Sequence, residues 1–176
     1  AMLAPPPSSA AAPLSIDQGK EWTASAQKDF YSRDQGSRIM PLSWIAALKQ
    51  PNGKPFMADS LSRYGYLPNE ASVPPGLPVG FTVGNGSNGQ DIGMNCSACH
   101  TRQIEVIGNP YRIDGGPGIV DFQSFLADLD KAVNTVLTNQ QAFTEFARAV
   151  LGLSPTHKVK TKLAEGLQAW YLPYHH

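Results

Sequence analysis

Apolar residues return every third or fourth position in several stretches of this chain, and follow no fixed interval in the segments between. The clearest stretch is Phe122, Phe125, Leu126, Leu129, Val133, Val136 and Leu137, which keeps one face of a helix apolar. Phe143, Phe146, Ala147, Val150 and Leu151 predict another helix, which Gly152 and Pro155 end. Leu163, Leu167 and Trp170 predict a last one over about 157–171. Upstream, Trp22, Ala26 and Phe30 recur every four residues and predict an amphipathic helix over about 16–32. Ser15 and Gln18 have the capping-box spacing at its start, and Gly36 lies at or beyond its end. Pro41 suits the first position of a further helix with Leu42, Ile45 and Leu48 on one side, stopped by Pro51-Asn52-Gly53. A short helical turn fits 58–64.

The polar and irregular stretches complete the outline. Residues 65–95 are rich in Gly, Pro and Asn with little periodicity. So long a loop in a compact domain is usually functional or wrapped around something. Gln103–Ile107 and Tyr111–Ile113 flank Gly108-Asn109-Pro110 and predict a short β-hairpin. Residues 1–14 are Ala, Pro and Ser almost throughout, the composition of a flexible linker, which leaves 15–176 as a single domain. No internal repeat is visible. The pattern as a whole predicts a mainly α domain with long loops and one small β-hairpin.

Charge narrows the function classes. Fourteen basic and fourteen acidic residues balance, so nothing electrostatic points to nucleic acid or an anionic membrane surface as partner. No apolar run approaches the roughly 20 residues that span a bilayer, and no leader with a basic head and apolar middle is visible. Sixteen Gly and fifteen Pro put much of the chain in turns. That economy of side-chain core suits a protein that folds around a large cofactor.

The two cysteines carry the chemistry. Cys96-Ser97-Ala98-Cys99-His100 has the spacing C-x-x-C-H, which reads as covalent c-type haem attachment. Two thiols on one helical turn each reach one vinyl group of the porphyrin, and the next residue sets an imidazole under the iron. A disulfide between them would close too small a loop to constrain the chain. A thioredoxin-like dithiol belongs in a βαβ setting, whereas the upstream sequence here is a Gly/Asn-rich loop. A structural zinc site needs four ligands, and only His157, His175 or His176 remain to complete one. Chance occurrence of three fixed letters is the third rival.

Several further segments carry a family resemblance: FYSRDQGSRIMPLSWIAAL (30–48), RYGYLPN (63–69), GLPVGF (76–81), NCSACHTRQI (95–104) and RIDGGPGIVDFQSFL (112–126). Collinear over much of 20–130, they resemble the di-haem cytochrome c peroxidase-like family, and within it the RoxA-like branch of rubber oxygenases, as a first haem domain. The resemblance implies a cytochrome-c-like helical fold, a periplasmic or otherwise exported location, and redox or oxygen/peroxide chemistry at haem. It also implies a second C-x-x-C-H in a second domain, whereas this chain has one. Where the peroxidase branch can place a second histidine past the proximal one, this chain has Gly115, Gly116 and Pro117. That departure favours a vacant site, as in the oxygenase branch.

The sixth iron position separates the functions. Met or His there suits electron transfer; an open position suits oxygen or peroxide activation. The candidates are Met40, in QGSRIMP, which reads as readily as a core or turn methionine, and His157, at the start of the last helix, which reads more readily as an exposed helix-start residue. Met57 is weaker, Met94 is too close to Cys96 to reach around the ring, and His175 and His176 end the sequence. Arg38 and Arg112 are candidate partners for haem propionates through a two-pronged bond, and exposed arginine is the plainer account of each. Asp114 suits a brace for the hairpin, a cap for the long helix, or an acceptor for an arginine. The sequence therefore predicts one covalent haem c held by Cys96, Cys99 and His100. Electron transfer to a redox partner protein or second haem domain is the leading function. Peroxidase- or oxygenase-like catalysis at an open haem, and a haem-anchored sensor module, are the alternatives.

Overall fold

The structure, a computed structural model, describes residues 12–87 and 89–171. The elements run β1 (Leu14–Ser15), α1 (Ala24–Ser32), β2 (Met40–Pro41), α2 (Leu42–Ala47), β3 (Phe81–Gly86), β4 (Gly89–Met94), β5 (Thr101–Val106), β6 (Asn109–Asp114), α3 (Phe122–Thr138), α4 (Gln140–Leu151) and α5 (His157–Tyr171). Short 3-10 turns lie at Ala58–Tyr64 and Cys96–Ala98.

The fold is mixed, which corrects the mainly α, cytochrome-c-like expectation. Two three-stranded sheets are present, in the orders β2-β4-β3 and β1-β6-β5. The second contains the predicted hairpin, β5 antiparallel to β6, joined by Ile107 and Gly108 with φ of 50° and 75°. Two positive φ values match the turn that follows strand twist in a two-residue hairpin. The first sheet falls in the stretch expected to be loop. There Phe81 faces Met94 and Val83 faces Ile92, with Met40 on the other side of Ile92. Phe81, Ile92 and Met40 are buried. The alternation of a half-buried strand was present but interrupted by glycine. Gly93 is there because a Cβ would lie 1.9 Å from the carbonyl oxygen of Ser37. In a strand, such a glycine marks close backbone approach rather than a loop.

The helices match their patterns more closely. Asp121 caps α3, its Oδ1 accepting from the Ser124 amide at 2.9 Å. Phe125, Leu129 and Val133 of α3 are fully buried, contributing roughly 2 kcal/mol each. Asn139 alone separates α3 from α4, and its side chain accepts from the Ala142 amide at 2.9 Å. The indole of Trp170 on α5 donates to the Ile39 carbonyl at 2.7 Å and ties the last helix to the start of β2. The first helix is shorter than its periodicity suggested. It starts after Thr23, whose hydroxyl accepts from the Ala26 amide at 3.2 Å. Ser15 belongs to β1, parallel to β6, in place of the helix cap expected of it. Of the 1–14 linker, 1–11 lie outside the described residues, and Leu14 already pairs with Tyr111.

The core lies where α2, α3, α4 and α5 meet the first sheet, and includes Ile45, Leu48, Phe56, Leu129, Phe146 and Leu167. No helix among the described residues is long and apolar enough to cross a membrane.

Candidate cofactor attachment site

The segment 95–100 is the chain's passage from one sheet to the other, between the end of β4 and the start of β5. Asn95 sets its geometry. Its carboxamide oxygen accepts from the Ser97 amide at 2.9 Å and the Ser97 hydroxyl at 2.7 Å, capping the turn. Its Nδ2 donates to the carbonyls of Phe30 and Arg33 at 3.1 and 3.0 Å, at the C-terminus of α1. The first sits in the last turn of α1 and the second on its C-cap residue, where they lack helical donors. One buried side chain thus caps one helical turn and completes another.

The backbone of the motif closes a single turn. The Cys99 and His100 amides both donate to the Cys96 carbonyl, at 3.2 and 2.9 Å. Ser97 and Ala98 face inward and are buried. Gly80 passes directly beneath, where a Cβ would come within 2.1 Å of the Ala98 nitrogen. With the two intervening residues turned in, the chemical groups turn out: Cys96 and His100 are exposed and Cys99 is half-buried. Two more amides hold the exit, Gly118 donating to the Cys99 carbonyl at 2.7 Å and Gly115 to that of His100 at 2.8 Å.

Next to this turn the surface is apolar and uncovered. Ile119 is 70% exposed and Phe122 43% exposed, immediately after the glycine bonded to Cys99. Phe122 belongs to the apolar rhythm of α3, yet it is not covered as Phe125 is. Below them Tyr66 is buried, with its ring edge-on to Phe81 and Phe125 at 4.9 and 5.8 Å. Its hydroxyl has no hydrogen-bond partner among the described residues. Burial first, then the neighbouring Cys99 and Asp121, push that hydroxyl's pKa up, so it stays a protonated donor.

These observations weigh the rival chemistries. Burial, then Cys96, raises the Cys99 thiol above its ordinary pKa, and both cysteines are free thiols. Among the described residues, no group of three His, Cys, Asp or Glu converges as an ion site, and His175 and His176 lie outside them. The exposed Cys96 and His100, the half-buried Cys99, the exposed Ile119 and Phe122, and the orphaned Tyr66 hydroxyl fit a flat apolar group carrying polar substituents.

The other predicted residues are placed differently. Met40, one of the two candidate distal ligands, is buried among core side chains and paired through β2. His157 is the exposed first residue of α5. Met57 and Met94 are half-buried against the core. Arg38 grips Asp34 with both terminal nitrogens at 2.8 Å. That bond foremost pulls the Asp34 carboxyl down to about 2. Arg112 is buried, donating to the Pro68 carbonyl at 3.2 Å and to Gln103 Oε1 at 3.0 Å.

Sequence reasoning underrated Asp114. Its Oδ1 accepts from the Tyr31 hydroxyl at 2.5 Å, and its Oδ2 from the Gln27 amide at 2.6 Å and the Trp22 indole at 3.0 Å. Gln18 bonds its backbone on both sides. Asp114 therefore braces α1 against the hairpin one residue before Gly115, and the long helix is capped by Asp121 instead. Asn95 was missed altogether; an asparagine directly before a helical turn was the signal.

No family model matches this chain, and no solved structure matches it. An uncharacterised protein of Sinorhizobium fredii, y4iJ, is 31% identical over 172 residues, a match that covers 84% of this chain and 28% of that protein. The chain therefore spans less than a third of the length of the relative it matches.

Proposed function

We propose that this chain is a c-type haem domain in the di-haem cytochrome c peroxidase-like, RoxA-like family, built on a mixed scaffold and used for electron transfer. One observation carries the reading. A single capped turn leaves Cys96 and His100 exposed and Cys99 half-buried, and the glycine bonded to the Cys99 carbonyl leads directly into Ile119, which is exposed, as is Phe122, among the described residues. The thiols of Cys96 and Cys99 would hold the porphyrin and His100 would ligate the iron. When bound, the haem supplies one-electron redox chemistry, tuned by its axial ligands and its exposure. The chain's own residues do the rest. Asn95 fixes the spacing of the thiols, Gly80 admits the turn close to the sheet, and Ile119 and Phe122 exclude water from one side. Tyr66 has a donor to offer an acceptor at the buried edge. The electron's counterpart is a redox partner protein or a second haem domain, in a periplasmic or otherwise exported setting.

A second reading has a specific observation behind it. Met40, one of the two candidate distal ligands, is enclosed in the core, and the other, His157, is the exposed first residue of the last helix. An iron ligated by His100 alone would keep an open face for oxygen or peroxide. The test is the visible spectrum of protein made in a host that matures c-type cytochromes, oxidised and dithionite-reduced, with a pyridine haemochrome assay. Covalent low-spin haem supports electron transfer. Covalent high-spin haem that binds carbon monoxide or cyanide rapidly supports the second reading. Absence of covalent haem overturns both.

A further inference from the structure

The strand β5 is the outer strand of its sheet, whose order is β1-β6-β5. The two-residue turn makes Val106 and Asn109 a hydrogen-bonded pair. Alternation then bonds Ile104 to Tyr111 and Arg102 to Ile113, and points the backbone groups of Gln103 and Glu105 away from β6. Two facts agree with that phase. Pro110, opposite Glu105, has no N–H to give, and the Arg112 carbonyl, opposite Gln103, accepts from the Ile16 amide at 3.2 Å on the β1 side. Thr101 shares the outward phase, but Gly118 lies against its carbonyl, where a Cβ would come within 3.2 Å. The outward amides and carbonyls of Gln103 and Glu105 have no partner among the described residues. Val106 is 44% exposed beside them, and Ile104 is half-buried. An edge of this kind is a template for another strand.

The edge is complementary to itself. The Arg112 guanidinium donates to Gln103 Oε1 at 3.0 Å, which leaves Gln103 Nε2 as a donor backed by a cation. Glu105 is exposed and forms no ion pair among the described residues. We propose that β5 pairs antiparallel with β5 of a second copy about a two-fold axis, with Ile104 facing Ile104 and each Gln103 facing the other copy's Glu105. The alternatives are poorer. Centring on Gln103 brings Glu105 against the Thr101 that Gly118 covers, and centring on Glu105 sets like charges opposite each other. Centring on Ile104 makes both outward residues of each copy form hydrogen-bonded pairs, and gives each free carboxylate a donor. The contact is isologous and closes on itself. Strands this short bury less than about 1,200 Å², so the dimer is weak and reversible. The proposal does not rest on the haem reading.

Sedimentation equilibrium of the whole chain over about a hundredfold range of concentration tests it. The mass should rise from one chain toward two. Glu105→Pro removes an outward N–H and the carboxylate but no bond of the β5–β6 ladder. It should leave only monomer, with the unfolding temperature little changed. Glu105→Lys keeps the amide, sets a cation beside the Gln103–Arg112 pair of the other copy, and should weaken association about tenfold. The register is read by disulfide formation in a Cys96→Ser, Cys99→Ser background. Ile104→Cys should link two copies across the axis. Val106→Cys, at the more exposed position, should link far less, because it faces Arg102 of the second copy. Monomer at every concentration overturns the proposal. A dimer that both Glu105 variants leave intact also overturns it, as does linking that favours Val106→Cys.

Discussion

At the scale of single residues, Asn95 does more for the site than the groups that would react there. It holds four partners with one carboxamide, two in the motif turn and two at the C-terminal end of α1. Asn95→Ala should cost about 2–4 kcal/mol in urea denaturation, since a lost cap and orphaned buried groups each cost about 1–3 kcal/mol. It should also lower the yield of covalent haem more than a surface substitution of equal cost. Asp34 gives a pH prediction. Its bond to Arg38 holds the folded carboxyl near 2, below an unfolded value of about 4. A depressed carboxyl contributes order that is present above the unfolded pKa and is lost as pH falls through the folded one. The Gly36 amide donates to Asp34 Oδ1 at 3.0 Å. Its hydrogen-exchange protection should hold down to about pH 4 and fade toward pH 2. In Arg38→Gln, NMR titration of Asp34 should show its carboxyl back in the ordinary range.

At the scale of elements, the helices were legible because their apolar residues keep one period over long runs, as α3, α4 and α5 show. The β5–β6 hairpin was legible because a glycine turn separates two short strand-like runs. The β3–β4 pair was not, because Gly84, Gly86 and Gly93 read as loop composition while acting as contact points. The first helix was over-extended because Trp22 has the spacing of its helical neighbours but is held by Asp114 from outside the helix. Gly80 joins this scale to the site. It has φ 77°, and its missing Cβ makes room for Ala98. Gly80→Ala would impose both a left-handed alanine and a backbone clash. It should destabilise the fold by about 2 kcal/mol or more, measured by thermal unfolding. It should also change the relative exposure of Cys96 and Cys99 to a thiol reagent.

At the scale of the whole molecule, the site is legible in five letters while its support is not. The turn at 95–100 is held by 30–33, by 80 and by 115–118, segments that sequence reading cannot bring together. The same gap explains the fold-class error: the strands are short, and two of the six have only two residues. The uncovered Ile119 and Phe122 give a prediction at this scale. Protein without haem should bind an environment-sensitive hydrophobic dye, and covalent loading should remove most of that signal.

The tip of the β5–β6 hairpin has a practical consequence. Ile107 is 96% exposed there, and its neighbours beyond Gly108 are paired. A protease nick at that tip would cut the backbone without cutting any contact of the motif turn. The two pieces would stay clasped through the β5–β6 ladder and through α3. The first piece would carry the thiols, the imidazole and Asn95, and the second would carry Gly115, Gly118 and the three long helices. Expressed apart and mixed, such halves would reconstitute a split protein whose attachment chemistry reports reassembly.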